Sequence, residues 1–144
     1  MIVKKGVLTE EKKVKGRKRH IAVDILGNLL YIKVHAANIH DTKAGCGIFE
    51  KLAEKFPSIQ AFSADAGYRG TSVEYVEDTL HLRIEISKKI KDKFAVLPKR
   101  WIVERTLAWI NNFRRASKDF EILTLTAENI VRIAMIRISL KKCF

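Results

Sequence analysis

The sequence predicts a single α/β domain. Strand and helix signals alternate along its 144 residues, two long helical patterns close it, and no Pro-, Gly- or Ser-rich linker divides it. With 47% of residues hydrophobic, a chain of this length can bury a core of its own.

The elements follow in order. Residues 1–19 are polar and basic, ending in Lys12-Lys13-Val14-Lys15-Gly16-Arg17-Lys18-Arg19, and read as an N-terminal arm ahead of a domain over 20–144. Such a run serves either as a solvated tail or as a contact to phosphate. His20 to Asp24 alternates, a turn sits at Gly27-Asn28, and residues 29–34 are rich in strand formers, which predicts a β-hairpin with Asp24 as a turn residue. Asp41-Thr42 then caps a helix reaching about Lys55, with Ile48, Phe49, Leu52 and Phe56 at helical spacing and Gly45 and Gly47 weakening it. Residues 59–64 form a short strand that delivers Asp65 at its C-terminal end. Thr71 or Ser72 caps a short helix to Leu80, and residues 82–86 alternate as another strand. A basic loop over 88–93 leads to Pro98. The helix expected over 99–116 puts Ile102, Val103, Thr106, Trp109, Ile110 and Phe113 on one side and Arg100, Glu104, Asn111 and Arg115 on the other. The last helix begins near Thr126, carries Glu128 in its first turn and ends in Lys141-Lys142; its Ile130, Val131, Ala134 and Ile138 can pack on the sheet.

Charge narrows the partners. A formal +12 with pI near 9.9 attracts polyphosphate, so nucleic acid comes first. A membrane surface fits less well, because the basic residues are spread over the whole chain and not gathered on one amphipathic helix. No signal peptide or run of about 18 apolar residues is present, which places the expectation in the cytoplasm. Cys46 and Cys143 form no metal or disulfide framework. His35, His40 and Asp41 could form a metal cluster on paper, but helix capping explains Asp41 more simply. Trp101 and Trp109 read as core residues before base-stacking ones. Asp65 and Glu104 each set one carboxylate among cationic groups, an arrangement that suits a divalent cation held between acids and a phosphate.

The element order, with three segments, resembles the catalytic portion of a DDE insertion-sequence transposase with a ribonuclease H-like core. The segments are Lys15 to Asp24, Ala64-Asp65-x-Gly67-Tyr68-Arg69-Gly70 and Arg100-Trp101-x-Val103-Glu104-Arg105-Thr106-x-Ala108-Trp109. The resemblance implies a mixed sheet flanked by helices, and metal-dependent cleavage and strand transfer at insertion-sequence ends. Asp65 and Glu104 would be the second and third acids, holding two Mg2+ or Mn2+ ions. Lys15, Arg17, Lys18 and Arg19 of the basic run, with Arg69, Arg100 and Arg115, are the expected contacts to double-stranded DNA; the resemblance implies that this DNA is transposon ends and target, with a homodimer on it as a further expectation. Arg100 fits the Arg of the Tyr-Arg-Glu-Lys signature, whereas Leu97 and Asn111 stand where its Tyr and Lys would be.

The first acid of that family lies on an opening central strand, between the hairpin and the strand ending in Asp65. Residues 1–14 contain no Asp. The expectation is therefore a sheet lacking its first central strand, poorly stable alone and unable to cleave DNA, with the missing strand and Asp supplied by an upstream-frame polypeptide. The alternatives are a catalytically inactive DNA-binding remnant and, from another class, a basic RNA-binding protein.

Overall fold

The computed structural model describes residues 2–9, 17–87, 100–118 and 121–144. Lys15, Leu97, Pro98 and the basic loop over 88–93 lie outside the described residues.

Among the described residues the centre is a mixed sheet of five strands, β1 (Ile2–Thr9), β2 (Arg17–Val23), β3 (Leu29–Ala36), β4 (Ala61–Ala64) and β5 (Arg83–Ile86), in the order β3-β2-β1-β4-β5. The first three strands pair antiparallel, while β1 with β4 and β4 with β5 run parallel. Parallel neighbours need a crossover, and the helix α2 (Thr71–Asp78) provides it between β4 and β5. Between β3 and β4 lies α1 (Asp41–Lys55).

The central strand corrects one expectation. Residues 2–9, read as part of a basic arm with the opening strand missing, are that strand; Arg17 to Arg19 likewise belong to β2. Lys4-Lys5-Gly6 breaks the alternation by which a strand is recognised. Ile2, Val3, Val7, Leu8 and Thr9 are nonetheless strand formers, and β1 gains a ladder on both sides. The predicted instability of a sheet without a centre therefore loses its basis.

Side chains alternate across the sheet. On one face Ala22, Phe62 and Ala64 pack with Ile48, Phe49 and Leu52 of α1 and Val76 of α2. On the other, Ile21, Val23, Ile32 and Val34 meet the C-terminal helices α3 (Arg100–Asn111), α4 (Arg114–Ser117) and α5 (Thr124–Cys143). The helix expected over 99–116 is thus two pieces. Phe113 is extended, and its N–H closes onto Ile110 O at 3.0 Å after the weak helix formers Asn111 and Asn112.

Two contacts fix the helices to the hairpin. Gly27, at φ +85°, allows the β2–β3 turn, where Asp24 accepts from the Leu26 and Asn28 amides at 2.9 Å. Thr106 Oγ1 donates to Gly27 O at 2.8 Å, so close that a Cβ on Gly27 would lie 2.9 Å from that hydroxyl. At the sheet edge, buried Glu128 of α5 accepts the Val34 amide at 2.9 Å, giving β3, the edge strand among the described residues, a partner for that donor.

Candidate active site

Asp65 leaves β4 in extended conformation and caps a 3-10 turn, Ala66–Tyr68, its carboxylate accepting the Gly67 amide at 3.0 Å. A second carboxylate arrives from α1. Lys18 Nζ donates to Asp41 Oδ1 at 2.9 Å, and a Cβ built on Gly67 would stand 3.1 Å from Asp41 Oδ2 and 3.2 Å from Asp65 Oδ1. Gly67 is therefore a glycine because two acids close on it from two elements. Asp41 is not the helix cap: His40 holds that position, its Nδ1 accepting the Thr42 amide at 3.4 Å, while Asp41 sits in the first turn. The paper cluster of His35, His40 and Asp41 does not form either, because His35 turns to His20.

Glu104 lies on the exposed side of α3, as its spacing predicts, and α3 packs over β1 and β2. The same helix carries Arg105, whose guanidinium stands 4.6 and 4.7 Å from the ring centres of Trp101 and Trp109. Trp101 is 42% exposed. The two tryptophans, expected in the core, thus clamp an arginine at the surface.

The cations divide into two groups. Lys18 and exposed Arg69 stand at the Asp65 end, Arg69 directly after the 3-10 turn. Arg17, Arg19 and Arg115 instead gather at the connection between α4 and α5: Arg17 donates to Glu121 O at 2.8 Å, buried Arg19 to Ala116 O, and Arg115 to Glu121 Oε1 at 2.8 Å. Arg100 opens α3.

Sequence reasoning missed a buried polar line beneath the Asp65 turn. The phenol of Tyr68, fully buried, hydrogen-bonds His20 Nδ1; His20 Nε2 meets His35 Nε2 at 2.6 Å; and His35 Nδ1 reaches Ala36 O at 2.7 Å. Burial pushes the Tyr68 phenol far above the usual tyrosine range, and the Asp65 and Asp41 carboxylates push the same way. Tyr68 is thus held as a neutral O–H. The hairpin register was the available signal: Lys33 pairs with His20 and Lys18 with His35, so the two histidines are diagonal neighbours on one face.

As for a metal, carboxylate oxygens suit Mg2+ or Mn2+ in kind, but not in number. Among the described residues no group of three or more His, Cys, Asp or Glu side chains is placed to hold an ion. Lys4 pairs with Ser63, so the register carried two residues on sets Gly6 level with Asp65, and β1 contains no acid at any position.

The model of the transposase DDE domain family matches residues 5–138, and the chain belongs to that family. It is a domain of DNA transposition, whose chemistry is nucleotidyl transfer on DNA. A sequence search of curated proteins gave no significant match. Among solved structures, the catalytic core domain of BIV integrase superposes with a TM-score of 0.62 at 13% identity, covering 94% of this chain and 80% of that one. A chain of the simian T-cell lymphotropic virus intasome, in complex with PP2A regulatory subunit B56 gamma, gives 0.58 at 12% identity, covering 93% and 46%. These likenesses establish the fold, a ribonuclease H-like α/β domain. Among the described residues no helix is long and apolar enough to cross a membrane.

Proposed function

We propose that this chain supplies the second and third acids of a metal-dependent transposase site, Asp65 and Glu104, to a cytoplasmic complex that cuts and joins double-stranded DNA at insertion-sequence ends. The supporting observation is the position of Asp65: it ends the parallel strand beside the central strand, on a tight turn, with Asp41 and Lys18 next to it. Magnesium or manganese bound there would offset phosphate charge. The chain's own residues do the positioning. The 3-10 turn fixes the Asp65 carboxylate, Lys18 balances Asp41, and Arg69 and Arg100 at the edges, with Lys15 upstream, contact DNA phosphates. Arg17, Arg19 and Arg115, whose donors go to the α4–α5 connection, contribute to that surface indirectly by fixing the fold.

Because β1 fills the central position and carries no acid, the first acid reaches the site from an upstream segment lying outside that strand, in cis or in trans, and two copies meet on the DNA. The test uses labelled transposon-end DNA with Mg2+ or Mn2+. Residues 1–144 alone should leave it intact, and adding the upstream segment with its Asp should restore nicking that Asp65→Ala or Glu104→Ala abolishes. Restored nicking that survives both substitutions would refute the assignment of the acids. Metal-dependent nicking by residues 1–144 alone, lost in Asp65→Ala, would refute the external first acid and leave Asp65 in place.

A further inference from the structure

We propose that Tyr68, His20 and His35 form a one-directional hydrogen-bond relay that positions the Asp65 carboxylate, anchoring its turn across the sheet to the edge strand β3. The proposal rests on the reading of Asp65 as a catalytic acid for its functional meaning, and on the geometry alone for its existence.

The direction of the relay follows from counting protons. Ala36 O can only accept, so His35 Nδ1 carries the hydrogen, and a neutral His35 then presents Nε2 as an acceptor. At 2.6 Å from it, His20 Nε2 must be the donor. That leaves His20 Nδ1 as the acceptor for the Tyr68 hydroxyl, a group that can give its proton. With both imidazoles neutral each member has one arrangement, and each bond requires the next. The two imidazole planes lie 24° apart with ring centres 4.6 Å apart. The line is dry: Tyr68 and His20 are fully buried and His35 is 8% exposed. Bonds between buried polar groups are stronger than the same bonds in water, which favours the arrangement.

The relay bears on Asp65 through three residues. The Tyr68 amide donates to Asp65 O at 3.2 Å, and the Gly67 amide, one residue earlier, donates to the Asp65 carboxylate. Fixing the Tyr68 ring therefore fixes both ends of the turn on which the carboxylate rests. Tyr68, His20 and His35 are in this sense positioning residues.

The test needs no DNA and no metal. In nitrogen-15 spectra of the intact chain, His20 should be the Nε2–H tautomer and His35 the Nδ1–H tautomer; the opposite tautomer on either ring overturns the relay. Tyr68→Phe removes one oxygen and preserves the ring. It should speed exchange of the Gly67 amide by about tenfold and release the His20 tautomer, while hydrogen exchange in β2 and β3 stays as in the parent. Unchanged Gly67 exchange in a folded Tyr68→Phe chain overturns the positioning role. Should that variant unfold, His35→Gln provides the same readout from the far end, with a smaller acceleration expected at Gly67 and none overturning the role. Line broadening by Mn2+ at Gly67, read with the upstream segment and its Asp added to the parent chain, judges the Asp65 assignment separately: its absence there would refute Asp65 as a metal ligand, leaving the tautomers and Gly67 exchange to decide the relay.

Discussion

At the scale of single residues, the family's sequence segments carry two kinds of information. Asp65 could be read directly, because a carboxylate after a short apolar run and before glycines marks a strand end. Tyr68, three residues on, could not, because its partners are 48 and 15 residues apart along the line from Tyr68 to His20 and from His20 to His35. Charge without direction misleads in the same way: Arg19 looks like a phosphate contact in a basic run, yet it is buried with its guanidinium on Ala116 O. The Tyr68 phenol also makes a stability prediction. Its folded pKa is raised above the ordinary value of 10.0, chiefly by burial. The stabilisation is thus fully present below about pH 10 and is lost as pH rises further, because the unfolded chain releases the proton and the folded chain retains it. Denaturant unfolding between about pH 8 and pH 11 should show an alkaline loss of stability that is shallower in Tyr68→Phe. Equal slopes in the two proteins would contradict the burial of a neutral phenol.

At the scale of elements, the hairpin, α1, α2, β4 and β5 were legible from periodicity to within a few residues, since each has its own turn or cap signal. The central strand was not, because a strand paired on both sides takes its stability from neighbours and tolerates Lys4-Lys5-Gly6. The break between α3 and α4 was hidden by an apolar spacing that continues through Phe113. The weakness of α1 was visible in Gly45 and Gly47, but its reason was not. A Cβ on Gly45 would meet Ser72 Oγ at 2.6 Å and Tyr68 Cδ1 at 2.9 Å, where α1 crosses α2 and the Asp65 turn, whereas one on Gly47 would meet nothing within 4 Å. The two glycines should respond oppositely to alanine. Gly47→Ala gains helix propensity and should stabilise by about 0.5–1 kcal/mol. Gly45→Ala gains the same but overpacks a fully buried ring, and the strain of about 1–3 kcal/mol should leave it neutral to destabilised by about 2. Urea unfolding of both variants checks this, and a stabilised Gly45→Ala would mean that the α1–α2 contact is looser than its geometry.

At the scale of the whole molecule, the +12 charge announced a polyanionic partner, and the family match names the process, but only the fold sorts cations into those that face solvent and those that hold the chain together. Arg69 is exposed beside the Asp65 turn, free of the sheet. Arg19 reaches through the α5 side of β2 to a backbone carbonyl. Their alanine variants should therefore separate binding from stability. Affinity for duplex DNA should fall steeply between about 50 and 200 mM salt, and Arg69→Ala should lower the slope of log K against log salt by about one, at unchanged melting temperature. Arg19→Ala removes a charged donor from a buried carbonyl, costing about 1.5–3 kcal/mol of folding free energy, and should keep the parent's slope wherever the chain is folded. Fluorescence anisotropy across a salt series, paired with thermal melts, reads both quantities from the same preparations. If Arg19→Ala lowered the salt slope as much as Arg69→Ala and melted like the parent, the division of the arginines between fold and DNA would be wrong, and the surface around the α4–α5 connection would belong to the DNA path.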